Sequence, residues 1–97
     1  MTSVNLSDVS EKKIHVDIIT PEKTVFSDVV SMAVLPGTEG DFGVLHRHAP
    51  FSSTLRAGAI RLFSGNQPTH LFTIEGGVAE VTSEKCVILA TALTGES

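Results

Sequence analysis

From Lys13 onward the chain alternates apolar and polar residues with a period of two. Ile14, Val16 and Ile18 fall on one side and His15 and Asp17 on the other, the mark of a strand with one buried face. Pro21 ends this run and turns the chain into Lys23 to Phe26. A third run, Val29 to Leu35, is apolar and largely β-branched, and Pro36-Gly37 stops it. Phe42 to Leu45 and Phe51 to Arg56 read as short strands, and Ala59 to Phe63 alternates again. Ser64-Gly65-Asn66 predicts a hairpin turn into Thr69 to Glu75. Gly76-Gly77 breaks that run, and Val78 to Val81 then pairs with Lys85 to Ala90 across Thr82-Ser83-Glu84. No sustained 3.6-residue stripe is present. About eight to ten short strands at this spacing predict an all-β fold, a flattened antiparallel β-sandwich of two sheets or a barrel. Residues 1–12, polar and without period, read as an extension, 13–93 as the sandwich and 94–97 as a tail.

Composition narrows the functions such a shell can have. Ninety-seven residues make one domain, which buries roughly two-thirds of the surface its unfolded chain exposes. That supports one core and leaves little room for a large enclosed cleft. With no Trp or Tyr and only five Phe, the core is built mainly from Val, Ile and Leu. A net charge of -4 with scattered Lys and Arg lacks the clustered cations that replace counterions on nucleic acid. The single cysteine, Cys86, lies in the apolar run Val87-Ile88-Leu89 and reads as a small buried hydrophobe in a reducing compartment. No stretch approaches the ~20 apolar residues of a spanning helix, and the first thirteen residues resemble neither a secretory signal nor a transit peptide. Asn5-Leu6-Ser7 fits a glycosylation sequon by chance.

Candidate chemistry is sparse. Asp41-Phe42-Gly43 spells the kinase metal triplet without the strand lysine, catalytic loop or length that a kinase needs. Gly37, Gly40 and Gly43 recur every third residue. No helix pattern follows them, so they read as turn glycines and not as a phosphate cradle. His46-x-His48 puts two imidazoles on one side of an extended segment, but nothing in the spacing of His15, His70, Glu39 or Asp41 supplies further metal ligands. No Ser-His-Asp, Cys-His or paired-carboxylate arrangement shows a local signature. No catalytic residue, cofactor site or metal site is assigned.

Pro36-Gly37, Gly40, Gly43, His48-Ala49-Pro50 and Leu55 to Gly58 together resemble the signature of the epsilon subunit of F-type ATP synthases. The likeness extends to Val16-Asp17-Ile18-Ile19-Thr20-Pro21-Glu22 with Phe26-Ser27, to Glu75-Gly76-Gly77-Val78-Ala79-Glu80-Val81 and to Val87 to Ala90. It runs in register from about Ile14 to Leu93. His46-Arg47 stands where the family usually has Pro and a small or polar residue, which puts the stiffness of that loop in question. The resemblance does not reach the pair of C-terminal helices of the family, so neither an inhibitory arm nor a nucleotide site is carried over.

What the resemblance implies is a non-catalytic rotor component, peripheral to the cytoplasmic face of a bacterial plasma membrane, that joins the gamma subunit to the ring of c-subunits. By analogy Glu39, Gly40 and Asp41 would touch the c-ring, and His48, Phe51 and Ser53 the gamma subunit. The alternative is a generic β-sandwich interaction module with another partner. Exposed ion pairs contribute about 0–1 kcal/mol each, so a clamp under torque has to rest on apolar burial. One sandwich face is therefore expected to be more apolar than a monomer needs.

Overall fold

The computed structural model describes residues 13–47 and 49–97. Ten strands follow one another with no helix between them: β1 Ile14–Ile19, β2 Thr24–Val30, β3 Met32–Gly37, β4 Gly40–Leu45, β5 Phe51–Leu55, β6 Gly58–Ser64, β7 Gln67–Ile74, β8 Gly77–Val81, β9 Lys85–Ala90 and β10 Leu93–Glu96. Hydrogen bonding joins them in the order β10-β7-β6-β3-β5-β8-β9-β1-β2, with β4 beside β3. The sheet curls until its two halves face each other. Phe26 of β2 then meets Phe72 of β7 edge to face, with ring centroids 5.7 Å apart. The all-β class and the sandwich are as the pattern predicted.

Alternation decides what lies between the halves. In β1 the residues Ile14, Val16 and Ile18 are buried and their neighbours are not. Cys86, Ile88 and Ala90 repeat the pattern in β9, and Ile60, Leu62, Phe72 and Ile74 supply the facing half of the core. Burial pushes the Cys86 thiol up to about 12, because a thiolate has no solvation there. The residue is packing material, as expected.

Three details depart from the sequence pattern. The run Val29 to Leu35 is two strands, not one, with the corner at Ser31. Its N–H donates to the Phe63 carbonyl (2.8 Å) and its hydroxyl accepts from the Gly65 N–H (2.8 Å), so the chain changes halves there without glycine or proline. Of residues 94–97, expected as a tail, the first three belong to β10, where Gly95 and Glu96 pair with β7. The β1–β9 ladder is parallel, running from His15 opposite Lys85 to Ile19 opposite Leu89, whereas every other ladder is antiparallel. The expected extension 1–12, with Asn5-Leu6-Ser7, lies outside the described residues.

Ladder registers place the turns at two poles. Thr20–Lys23, Thr38–Glu39, Arg56–Ala57, Glu75–Gly76 and Thr91–Ala92 gather at one. The other holds Ser31, the β4–β5 connection, Gly65–Asn66 and Thr82–Glu84. At the second pole Gly65 takes φ 63 at the first central position of a two-residue hairpin, where a glycine relieves the backbone.

Candidate functional site: a clamped hairpin and an apolar outer face

The glycine-punctuated segment is the β3–β4 hairpin. Gly37 opposes Gly40, leaving Thr38 and Glu39 as the tip. Neither tip residue has positive φ; Gly40 does, at 129°. Gly37 is needed for a different reason. A Cβ there would lie 2.7 Å from the Gly40 carbonyl oxygen and 2.8 Å from the Phe42 ring. Gly43, third of the series, has ordinary room around it.

The two acids of this loop are not equivalent. Asp41 is bound by its own chain: Arg56 Nη2 donates to Oδ1 at 2.6 Å and Arg61 Nη2 lies 3.5 Å from Oδ2. Arg56 also donates from Nη1 to the Gly37 carbonyl (2.6 Å). Glu39 is exposed at the tip and makes no ion pair among the described residues. The free acidic charge of the hairpin is thus Glu39. Sequence reading missed Arg56 and Arg61 because no local spacing links them to Asp41. They meet it only after β3, β5 and β6 have paired.

Strand parity also sorts the residues of β5. Phe51 opposes Val81, and Ser53 opposes Ala79, both of which are buried, so Phe51 and Ser53 turn inward with Leu55. Phe51 is half-buried against the core, its ring edge to face with Phe42 at 5.4 Å. Ser52 and Thr54 face outward, and Ser52 donates to Glu80 (2.8 Å). His48 lies outside the described residues. Beside it, the Arg47 N–H donates to the Ser83 carbonyl at 2.6 Å with φ 66 at Arg47. A hydrogen bond to the β8–β9 turn thus holds this loop. His46 Nδ1 is buried with no hydrogen-bond partner among the described residues. Among those residues, no three of His, Cys, Asp and Glu converge as metal ligands.

The outward surface carries apolar residues in cross-strand rows. On the β4-β3-β6-β7 half, Leu45, Met32 and Phe63 stand side by side. The next row brings Val34, Arg61 and Leu71. Leu45 is 52% exposed and Leu71 39%. On the opposite half, Val78 and Leu89 pair across β8 and β9, and Ile19 continues that row on β1.

The outward side of β1, β2 and β9 holds a polar knot that the sequence did not announce. Ser27 donates to Asp17 Oδ1 at 2.6 Å, His15 Nε2 lies 3.0 Å from the same oxygen, and Lys85 Nζ is 3.5 Å from Oδ2. Serine, histidine and aspartate meet here, but the hydroxyl proton goes to the carboxylate. One imidazole nitrogen, Nε2, faces both groups, 3.1 Å from Ser27 Oγ and 3.0 Å from Asp17 Oδ1, so the ring does not bridge serine and aspartate through its two nitrogens as a triad histidine does. The Ser27 hydrogen bond, helped by His15 and Lys85 and opposed by burial, holds the Asp17 carboxyl below its ordinary 3.8. Its stabilisation is complete above that value and disappears as pH falls through the lower folded one. Asp17→Asn should therefore flatten the expected fall of stability below about pH 4, read by urea melts at a series of pH values; an unchanged acid limb would discount this group.

Comparison with known proteins fits this architecture. Residues 13–95 match the family described as ATP synthase, Delta/Epsilon chain, beta-sandwich domain. Similar proteins include the ATP synthase epsilon chain of Rhodospirillum rubrum, 45% identical over 76% of this chain and 55% of that protein. That of Maricaulis maris is 49% identical over 80% and 58%, and that of Caulobacter vibrioides 47% identical over 80% and 90%. The chain belongs to the delta/epsilon β-sandwich family of ATP synthase subunits. It spans little more than half the length of the first two relatives. A chain in the Euglena gracilis mitochondrial ATP synthase structure (OSCP/F1/c-ring) shares the fold, with a TM-score of 0.77 at 20% identity over 86% of this chain and 53% of that one. A chain in the Tetrahymena thermophila central stalk and c-ring structure does so at 0.70 and 19%, over 86% and 66%.

Proposed function

We propose that the domain works as the non-catalytic β-sandwich of an ATP synthase epsilon subunit in the central stalk. It holds the gamma subunit on its apolar outer face and sets the β3–β4 hairpin against the c-ring, so that proton-driven rotation of the ring is passed to the shaft. The reading rests on family membership over residues 13–95, and the outward row Leu45-Met32-Phe63 supports it. Apolar side chains on that side have no role in the core of an isolated domain, and their burial is what a torque-bearing contact requires. The row adjoins the β4–β5 connection, where the family likeness puts the gamma-facing histidine, His48. Phe51 and Ser53 face inward, so the direct gamma contact is assigned to Leu45, Met32 and Phe63 in their place.

At the hairpin, Gly40 supplies the turn, Asp41 the fixed base and Glu39 the charge offered to the ring. The subunit reaches the membrane only through its partners, on the cytoplasmic side of a bacterial membrane; no described helix is long and apolar enough to cross one.

Mixing the purified domain with the gamma subunit of the same synthase tests the reading. A stable one-to-one complex on size exclusion is the expected result, and its absence would favour a sandwich module with another partner. Glu39→Lys should lower proton-driven ATP synthesis in reconstituted vesicles several-fold while leaving gamma binding unchanged. Full coupling in that variant would remove the tip from the ring contact.

A further inference from the structure

Arg56 follows β5 and opens the turn into β6. Its backbone N–H donates to the Pro36 carbonyl (2.8 Å). One planar guanidinium then reaches both strands of the neighbouring hairpin, at the Gly37 carbonyl of β3 and the Asp41 carboxylate of β4, each at 2.6 Å. These two points sit at the base of the Thr38–Glu39 tip. We infer that Arg56 is a positioning residue that sets the direction and stiffness of this tip, and through it the place where Glu39 is held. The ring-facing half of the inference rests on the c-ring contact proposed above.

The surrounding contacts point the same way. Thr38 is drawn onto β5 by its N–H to the Thr54 carbonyl (3.1 Å) and by its hydroxyl to the Thr54 hydroxyl (2.9 Å). Gly40, at φ 129, is the joint about which a loosened tip would swing, since glycine meets no Cβ barrier there. The side chains of Arg56 and Asp41 are 45% and 42% exposed, and an ion pair so open to water adds little to global stability. What the pair changes is local. The shape of the contact demands arginine, because two parallel N–H vectors on a rigid plane reach a carbonyl and a carboxylate together, whereas a lysine ammonium is a point charge on a flexible stem. Arg61, 3.5 Å from the other Asp41 oxygen, supports the carboxylate from β6; its backbone lies beside Val34 of β3, but the ion pair of its guanidinium is with β4 alone.

The test compares Arg56→Lys and Arg56→Gln in the intact chain and in reconstituted synthase. Amide hydrogen exchange at Thr38 should quicken by about tenfold in both variants, the effect of losing a charge-assisted hydrogen bond. The thermal midpoint should move little, gamma binding should persist, and proton-driven synthesis should fall. Faster exchange in the lysine variant separates the fork from the mere charge. Exchange at the wild-type rate in Arg56→Lys would overturn the positioning role. Fast exchange with full coupling would leave the clamp standing and overturn the ring contact instead.

Discussion

Leu45→Asp should weaken the proposed complex with the gamma subunit at least ~30-fold, about 2 kcal/mol, the loss expected when a buried apolar anchor becomes a carboxylate. The side chain is 52% exposed, so the isolated domain should keep its fold, and titration calorimetry then reads binding alone. Leu89→Asp is the matched control, because Leu89 is 48% exposed on the opposite half of the sandwich. Wild-type affinity in the first variant and loss in the second would move the gamma-docking face to β8-β9-β1. Phe51→Asp would not distinguish the two faces. That ring packs on Phe42 and the core edge, so its replacement tests stability before it tests any partner.

Gly77→Ala should cost about 3 kcal/mol or more, among the largest effects of any single methyl in this chain. Gly77 lies between Leu55 and Ala90 in the ladders of a central strand. A Cβ there would overlap the Leu89 carbonyl oxygen and stand 3.1 Å from the Ala90 Cα. Both obstacles are backbone, so β8 or β9 has to move as a whole. Gly43→Ala is the contrast: its Cβ would meet nothing nearer than the Met32 sulfur at 3.7 Å. Urea titration of the two variants should separate them clearly, and equal midpoints would show that the β8–β9 ladder yields without cost.

How far these features could be read in advance depends on the range of the interactions that create them. The alternation in β1 and β9 is a property of neighbouring residues. Those strands, the burial of Cys86 and the turn at Gly65 could therefore be read from the letters. The glycine signature likewise gave the family and the hairpin. Ser31 carries no local sign of a corner, because its hydrogen bonds go to Phe63 and Gly65, more than thirty residues away. At the acidic tip the letters place Glu39 and Asp41 two apart but do not show that Asp41 pairs with Arg56 and Arg61, which only the assembled sheet delivers. For Phe51 and Ser53, the likeness to a family named the strand and said nothing about which side of it faces in. One clue to the outer face did lie in the sequence. Met32-Ala33-Val34-Leu35 is apolar at both parities, and a strand with one wet side has no use for that.

The parallel ladder sets the order in which the molecule can be completed. Ile14, Val16 and Ile18 sit between β2, which follows them directly, and β9, whose matching residues arrive about seventy positions later. A chain emerging from the ribosome can close the first hairpin early, yet the β1 edge of that hairpin stays unpaired until β9 appears. Closure of so long a loop is entropically expensive and slow. The young polypeptide is accordingly exposed to mispairing with other chains until that strand emerges, and substitutions in β9 should lower the yield of soluble protein more than their equilibrium cost would suggest.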